Sequence, residues 1–234
     1  MDFKRDKGIR DRILWRCSYL VKRLIRAVFG ESNSTKWLLD ASWVVSRLAF
    51  EASGEMFGNE FHNDSLATNP KILLTVIPGK SSVIDIGCGT GRWSRVVSGF
   101  NCDVLGIDYS AKNINTARAL GGNAKYLEFD ATRKITDLGK FDFALLIHVL
   151  EHIDYPESLL NELRGNCLKL VIEVPDYESN ALNWTRRKLG RAYYSDADHV
   201  REYSLNSITK LLEETSWKIN YLVQKGGAIF IVAE

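Results

Sequence analysis

Three glycines at alternate positions, Gly87, Gly89 and Gly91, stand directly behind the apolar run Val83-Ile84-Asp85-Ile86. Glycine adopts left-handed backbone angles at little cost, and lacking a Cβ it lets a ligand lie against the chain. The β-branched run reads as a short buried strand, and helical spacing begins near Arg92. Strand, glycine-rich turn and helix make a nucleotide-cofactor loop, with amide N–H groups and the helix start aimed at the ligand. The spacing is G-x-G-x-G rather than the G-x-G-x-x-G of dinucleotide binders. Cys88 lies inside this turn, where its small size accounts for it and no nucleophile is expected. A second apolar run, residues 103–107, ends in Asp108. That acid follows the first glycine by about 20 residues, where a βαβ unit sets a carboxylate on ribose hydroxyls. A cis-diol offers two donors to one bidentate acceptor.

Histidine is the side chain best matched to proton transfer near neutral pH. His199 stands in Asp196-Ala197-Asp198-His199-Val200-Arg201-Glu202-Tyr203, where neighbouring acids can orient its ring. It reads either as a general base or as a surface or capping residue. His148, at the end of the apolar run 141–147, is the rival base.

The elements needed to position these groups alternate regularly. Strands are expected at 83–86, 103–107, 126–129, 141–147 and 168–174, with helices from about Arg92, at 111–120 and at 157–165. Such alternation implies an α/β fold with a parallel, doubly wound sheet and helices on both faces. A helix over 205–215 precedes strands at 217–223 and 228–232, separated by only four residues in a hairpin. The intervening stretch, 175–203, is too long for a simple connection and leaves the carboxyl end of the sheet. Its Tyr177, Trp184, Arg186, Arg187, Arg191, Tyr193, Tyr194 and Tyr203 read as an acceptor-binding cap, with arginines suited to phosphate.

Before the sheet, apolar residues recur at helical spacing from Ile9 to Phe29, with Arg12, Arg16, Lys22, Arg23 and Arg26 on the remaining surface. This basic amphipathic helix either lies in a membrane interface or packs on the domain with a solvated face. A second helix is expected over 36–50. The division implied is a helical region at 1–70 and a main domain at 71–234.

With 234 residues, 45% hydrophobic and 26% charged, the chain suits one substantial soluble domain with an appendage. A net charge of +2 gives no reason to expect a nucleic-acid partner, although residues 1–30 hold nine Lys/Arg against three Asp. The four cysteines form no C-x-x-C pair, and no secretory leader is evident, so a reduced, cytoplasmic setting is expected.

Four stretches in order resemble the class I S-adenosylmethionine-dependent methyltransferases, of the type 11 and type 23 kind. They are VIDIGCGTGRWS from Val83, GIDYS from Gly106, YLEFDA from Tyr126 and FDFALLIHVLEHIDYPESLL from Phe141. The resemblance covers roughly residues 80–174 and implies a Rossmann-like, seven-stranded sheet with a reversed last strand. It implies S-adenosyl-L-methionine as cofactor, held by Gly87, Cys88, Gly89 and Gly91 with Asp85 fixing the loop. Asp108 would take the ribose hydroxyls, Tyr109 would lie against adenine, and Asp130 and Ala131 would meet the adenine amino group. Ile147 and His148 would line the pocket beneath the sulfonium. Phe57, Glu60, Phe61 and His62 read either as a lid over the cofactor, as in the resembled family, or as ordinary surface-loop residues. Ubiquinone-pathway O-methyltransferases carry Glu-x-x-Glu-His, implicated in cation binding, where this chain has His148-Val149-Leu150-Glu151-His152. With the first Glu replaced, no metal is expected, and Glu151 and His152 read as starting the next helix. The segment around His199 resembles small bacterial enzymes that methylate surface-polysaccharide sugars. The reaction implied is O-methylation of a small-molecule or glycan hydroxyl. A membrane-associated quinone or lipid methyltransferase and a non-catalytic adenosyl-binding subunit are the alternatives.

Overall fold

The computed structural model describes residues 9–58, 67–191 and 198–234, with side chains from residue 13 onward. Its contacts divide the chain into two compact units. One comprises Met1–Ala52 with Leu182–Tyr193, and the other Ser53–Ala181 with Tyr194–Glu234.

The larger unit holds the sheet. Strands β1 (Ser82–Ile86), β2 (Asp103–Asp108), β3 (Lys125–Glu128), β4 (Phe141–Ile147) and β5 (Cys167–Pro175) run parallel. β6 (Ile219–Lys225) and β7 (Ala228–Ala233) form a hairpin, and β7 lies antiparallel to β5. The order β3-β2-β1-β4-β5-β7-β6 confirms the seven-stranded fold with its last strand, β7, reversed between β5 and β6. Alternation along the strands sends Ile84, Ile86, Ala144 and Leu146 into one core and Val83, Phe143, Leu145 and Ile147 into the other. The helices of this unit are α2 (Pro70–Val76), α3 (Arg92–Ser98), α4 (Ala111–Ala119), α5 (Pro156–Arg164) and α7 (Leu205–Glu214). Chain order reverses between β1 and β4, so the carboxyl ends of these strands open a crevice there.

The smaller unit is helical. Helix α1 (Ile9–Phe57) is broken at Gly30, whose φ of 74° and ψ of 173° separate the two expected segments. The second of these runs on to Phe57, beyond the end expected near residue 50. Helix α6 (Leu182–Lys188) packs on it through Arg186, which is buried and donates to Ser42 Oγ at 2.8 Å and Asn183 Oδ1 at 2.9 Å. Arg191 forms a two-pronged ion pair with Asp40. Two arginines read from sequence as phosphate ligands are thus engaged in holding helices together. The stretch 175–203 is divided between the two units, while Tyr193, Tyr194 and Asp196 lie outside the described residues, as do Glu60, Phe61 and His62 of the expected lid.

Candidate active site

The glycine turn between β1 and α3 takes the shape its residues demand. Gly87, Gly89 and Gly91 have φ of 64°, 55° and 77°, all in the left-handed region that disfavours side chains. A Cβ at Gly87 would meet Val149 Cγ2 at 2.8 Å, and one at Gly91 would meet the Tyr126 hydroxyl at 2.5 Å. At Gly89 it would point into open space. Behind the turn, the buried Asp85 carboxylate accepts from Ser94 Oγ at 2.5 Å and ties α3 to β1. Burial pushes its pKa up to about 6, against the opposing hydrogen bond. The Cys88 thiol packs towards Gly106, and burial pushes its pKa up to about 12, so it is no nucleophile.

A cavity of ≈ 390 Å³ opens at the carboxyl ends of β1, β2 and β4. Its walls include Gly87, Asp108, Tyr109, Asp130, Ala131 and His148 of the residues expected at the site. Asp85, Cys88, Gly89, Gly91 and His199 lie around it without lining it. Ile147 is turned away into the core with Phe143 and Leu145, because β4 alternates its faces. Asp108 accepts from the Gly89 amide at 2.9 Å, the Ser110 amide at 2.8 Å and Asn113 Nδ2 at 3.3 Å. A carboxylate offers about four acceptor positions, so a diol binding here would exchange for one of these bonds. Tyr109 is 79% exposed and stands on the rim. Asp130 accepts from the amide and hydroxyl of Thr132 at 2.9 and 2.7 Å, which hold its pKa below the usual range.

The opposite wall is charged. His148 has a φ of 57° and places Nδ1 3.1 Å from Glu151 Oε1 and Nε2 3.0 Å from Glu173 Oε1. Burial alone would lower its pKa, but the two carboxylates reverse this and push it up to about 10. Both ring nitrogens are taken and the proton is held at neutral pH, so His148 is not placed to act as a base. Glu173 also accepts from the Thr68 amide at 2.6 Å, which fastens the chain before α2 to the same cluster.

Glu151 and His152 do not begin a helix. They lie in a 3₁₀ turn, Leu150–His152, and α5 starts later, at Pro156. The Glu151 carbonyl accepts from the amides of Val200 and Arg201 at 2.9 and 3.3 Å, which binds this turn to the segment carrying His199. His199 itself is buried. Its side chain is 5% exposed, and Nδ1 lies 2.9 Å from Glu202 Oε1. It meets His152 edge-on with ring centres 4.7 Å apart. His152 lines the cavity, with Nδ1 facing Asp198 Oδ2 at 3.5 Å. Ligand atoms of Glu151, His152 and His199 lie within 4.8 Å of one another, near enough for one divalent cation. Sequence reading therefore missed His152 and Asp198 as site residues. Their separation of 46 positions gives no spacing signal, and only the fold brings them together.

A strand–glycine turn–helix, an acid closing the next strand and a reversed β7 together define a Rossmann-like methyltransferase architecture. Residues 59–222 match the methyltransferase domain family, and the chain belongs to that family. It is similar to the ubiquinone biosynthesis O-methyltransferase of Glaesserella parasuis, 34% identical over 97 residues covering 37% of this chain and 40% of that one. The mitochondrial counterpart of Candida albicans is 31% identical over 116 residues, covering 46% and 31%. These matches span well under half the length of the curated relatives. In fold, the chain resembles an S-adenosylmethionine-dependent methyltransferase of Methanosarcina mazei, with a TM-score of 0.58 at 17% identity, covering 72% of this chain and 98% of that one. It also resembles magnesium protoporphyrin IX methyltransferase of Synechocystis PCC 6803, solved with bound SAH, with a TM-score of 0.55 at 17% identity, covering 81% and 98%.

Proposed function

We propose that this protein transfers a methyl group from S-adenosylmethionine to a hydroxyl of a small acceptor. The observation that carries the reading is the ≈ 390 Å³ cavity, because it joins the glycine turn, three acids and two histidines at the carboxyl end of the sheet. The chain's residues suit such a cofactor: the direction left open at Gly89 accommodates a ligand against bare backbone. Asp108 would hold a diol, and Asp130 would accept from an amino group beside the Ala131 backbone. When bound, the cofactor supplies a methyl group already activated on a sulfonium. What remains for the protein is alignment, exclusion of water and removal of the acceptor's proton. His152 is the group on the cavity wall suited to take that proton on Nε2, because Asp198 faces its Nδ1. His199, buried against Glu202 and edge-on to His152, positions that ring rather than touching the acceptor.

Oxygen as the target is supported by the curated relatives, which are ubiquinone biosynthesis O-methyltransferases. The test offers catechols, phenols and free or nucleotide-linked sugars with S-adenosylmethionine and follows S-adenosylhomocysteine release. A quinone-precursor-like acceptor is expected to react through its phenolic oxygen, and a glycan acceptor through a sugar hydroxyl. Calorimetric binding of S-adenosylhomocysteine without turnover on any acceptor would instead support a non-catalytic adenosyl-binding subunit. Absence of that binding heat would remove the proposal.

A further inference from the structure

Helix α1 changes character at Gly30. Beyond it, Ser34 and Leu39 are buried and Arg186 docks. Before it, the described side chains from Ile13 to Phe29 are exposed, except for the half-buried Ile25. Ile13, Leu14, Leu20, Leu24 and Val28 each expose more than half of their surface, at 55, 59, 58, 57 and 72%. At 100° per residue these five, with Cys17, Val21 and Ile25, fall on one arc of about 140°. Arg16, Lys22, Arg23 and Arg26 occupy the rest, with Trp15 and Tyr19 among them at a ring separation of 6.1 Å. No Asp or Glu occurs from Arg12 to Gly30.

We infer that residues 9–29 form a docking helix for an anionic lipid surface. An apolar arc this wide exceeds the narrow seam of a coiled coil, and burying it calls for a continuous apolar medium. The flanks are cationic without an acid among them, so a second copy of the helix would bring like charges together. Anionic head groups complement the same flanks. Arg26 has an ion pair with Glu31 at 3.0 Å, but both side chains are more than half exposed, so the pair is readily exchanged for a phosphate. No described helix is long and apolar enough to cross a bilayer, and an in-plane position needs no crossing. This inference stands apart from methyl transfer, since it concerns a different unit of the chain.

Co-sedimentation of the full chain with vesicles tests it. Vesicles of phosphatidylcholine with about one-third phosphatidylglycerol should bind at least tenfold more tightly than phosphatidylcholine alone, and 0.5 M salt should remove most of that preference (on the order expected for several cations at a charged surface). The double variant Leu20→Glu, Leu24→Glu should lose binding to both vesicle types. The triple variant Arg16→Glu, Lys22→Glu, Arg23→Glu should lose the anionic preference by about a hundredfold. Circular dichroism and S-adenosylhomocysteine binding establish that the variants fold. Equal binding by wild type and the apolar double variant, or no vesicle binding at all, overturns the inference. So does a sedimentation-velocity dimer that Leu20→Glu, Leu24→Glu dissociates, because the arc is then covered by a second copy.

Discussion

On the β1–β2–β3 side the cavity meets a glycine turn flanked by Asp108 and Asp130, whereas on the β4–β5 side it meets histidines backed by buried carboxylates. Gly87 lines the first, Gly89 and Gly91 complete the same turn behind it, and Asp108 ties that turn to β2 through the Gly89 amide. His148 and His152 line the second, with Glu151 and Glu173 buried behind His148 and His199 edge-on to His152. A wall of bare backbone accepts a ligand of fixed shape through contacts any chain provides. A wall of paired charges sets protonation states, which makes it the natural side for acceptor chemistry. Substitutions on the two sides should therefore separate turnover from donor affinity.

The largest effect belongs to the charged side. His152→Ala should lower turnover by about 10²–10⁴-fold while calorimetric affinity for S-adenosylhomocysteine stays within twofold (about the contribution of general base catalysis). Equal loss of both quantities would dissolve the division between the walls. Asp108→Ala comes next and acts on the other side. Donor affinity should fall tenfold or more, in line with about 1.5–3 kcal/mol for a charged hydrogen-bond partner. Retained affinity would mean that the three protein bonds of Asp108 are its whole role.

Glycine substitutions sharpen the backbone side. Gly91→Ala drives a Cβ towards the Tyr126 hydroxyl at 2.5 Å from a left-handed φ, so stability and binding should fall together. Gly89→Ala meets nothing within 4 Å, so its cost in stability is the backbone strain of about 1–2 kcal/mol. Thermal unfolding should register that modest loss, whereas donor binding should drop by tenfold or more (a ligand displaced from its backbone contact). If Gly89→Ala binds donor as the wild type does, the cofactor does not lie against this turn.

The same contrast explains what the amino-acid sequence made legible. The backbone side is local: five residues carry the three glycines, and Asp108 follows after one helix, so spacing exposes both. The strand pattern is equally local, which is why the five parallel strands and the hairpin were readable from apolar periodicity. The charged side is assembled across the chain. Thr68 meets Glu173 over 105 positions, and His152 meets Asp198 over 46. No periodicity announces such pairs. His148 looked available as a base because one of its carboxylate partners, Glu173, is brought to it only when β4 and β5 lie side by side, Ile147 opposite Glu173, although Glu151 stands just three residues on. Arg186 and Arg191 looked available for phosphate for the same reason, since their partners lie on α1.

The smallest effect on neutral-pH catalysis should come from His148→Gln, which probes the charged wall through stability alone. A histidine whose pKa is higher folded than unfolded contributes stability that is fully present below its unfolded value of 6.5. That contribution declines as the pH rises and is lost at about 10. Denaturant unfolding of the wild type should accordingly show stability falling between pH 7 and pH 10, in a window where Asp85, with its pKa near 6, has already ionised. His148→Gln keeps a polar side chain but has no proton to lose, so its curve should be flatter across that window. Glu151 and Glu173 then face a neutral amide, and the variant should be less stable than wild type at pH 7 and approach it near pH 10. A parallel offset at every pH would mean that His148 is held neutral, and the charged wall would lose its central cation.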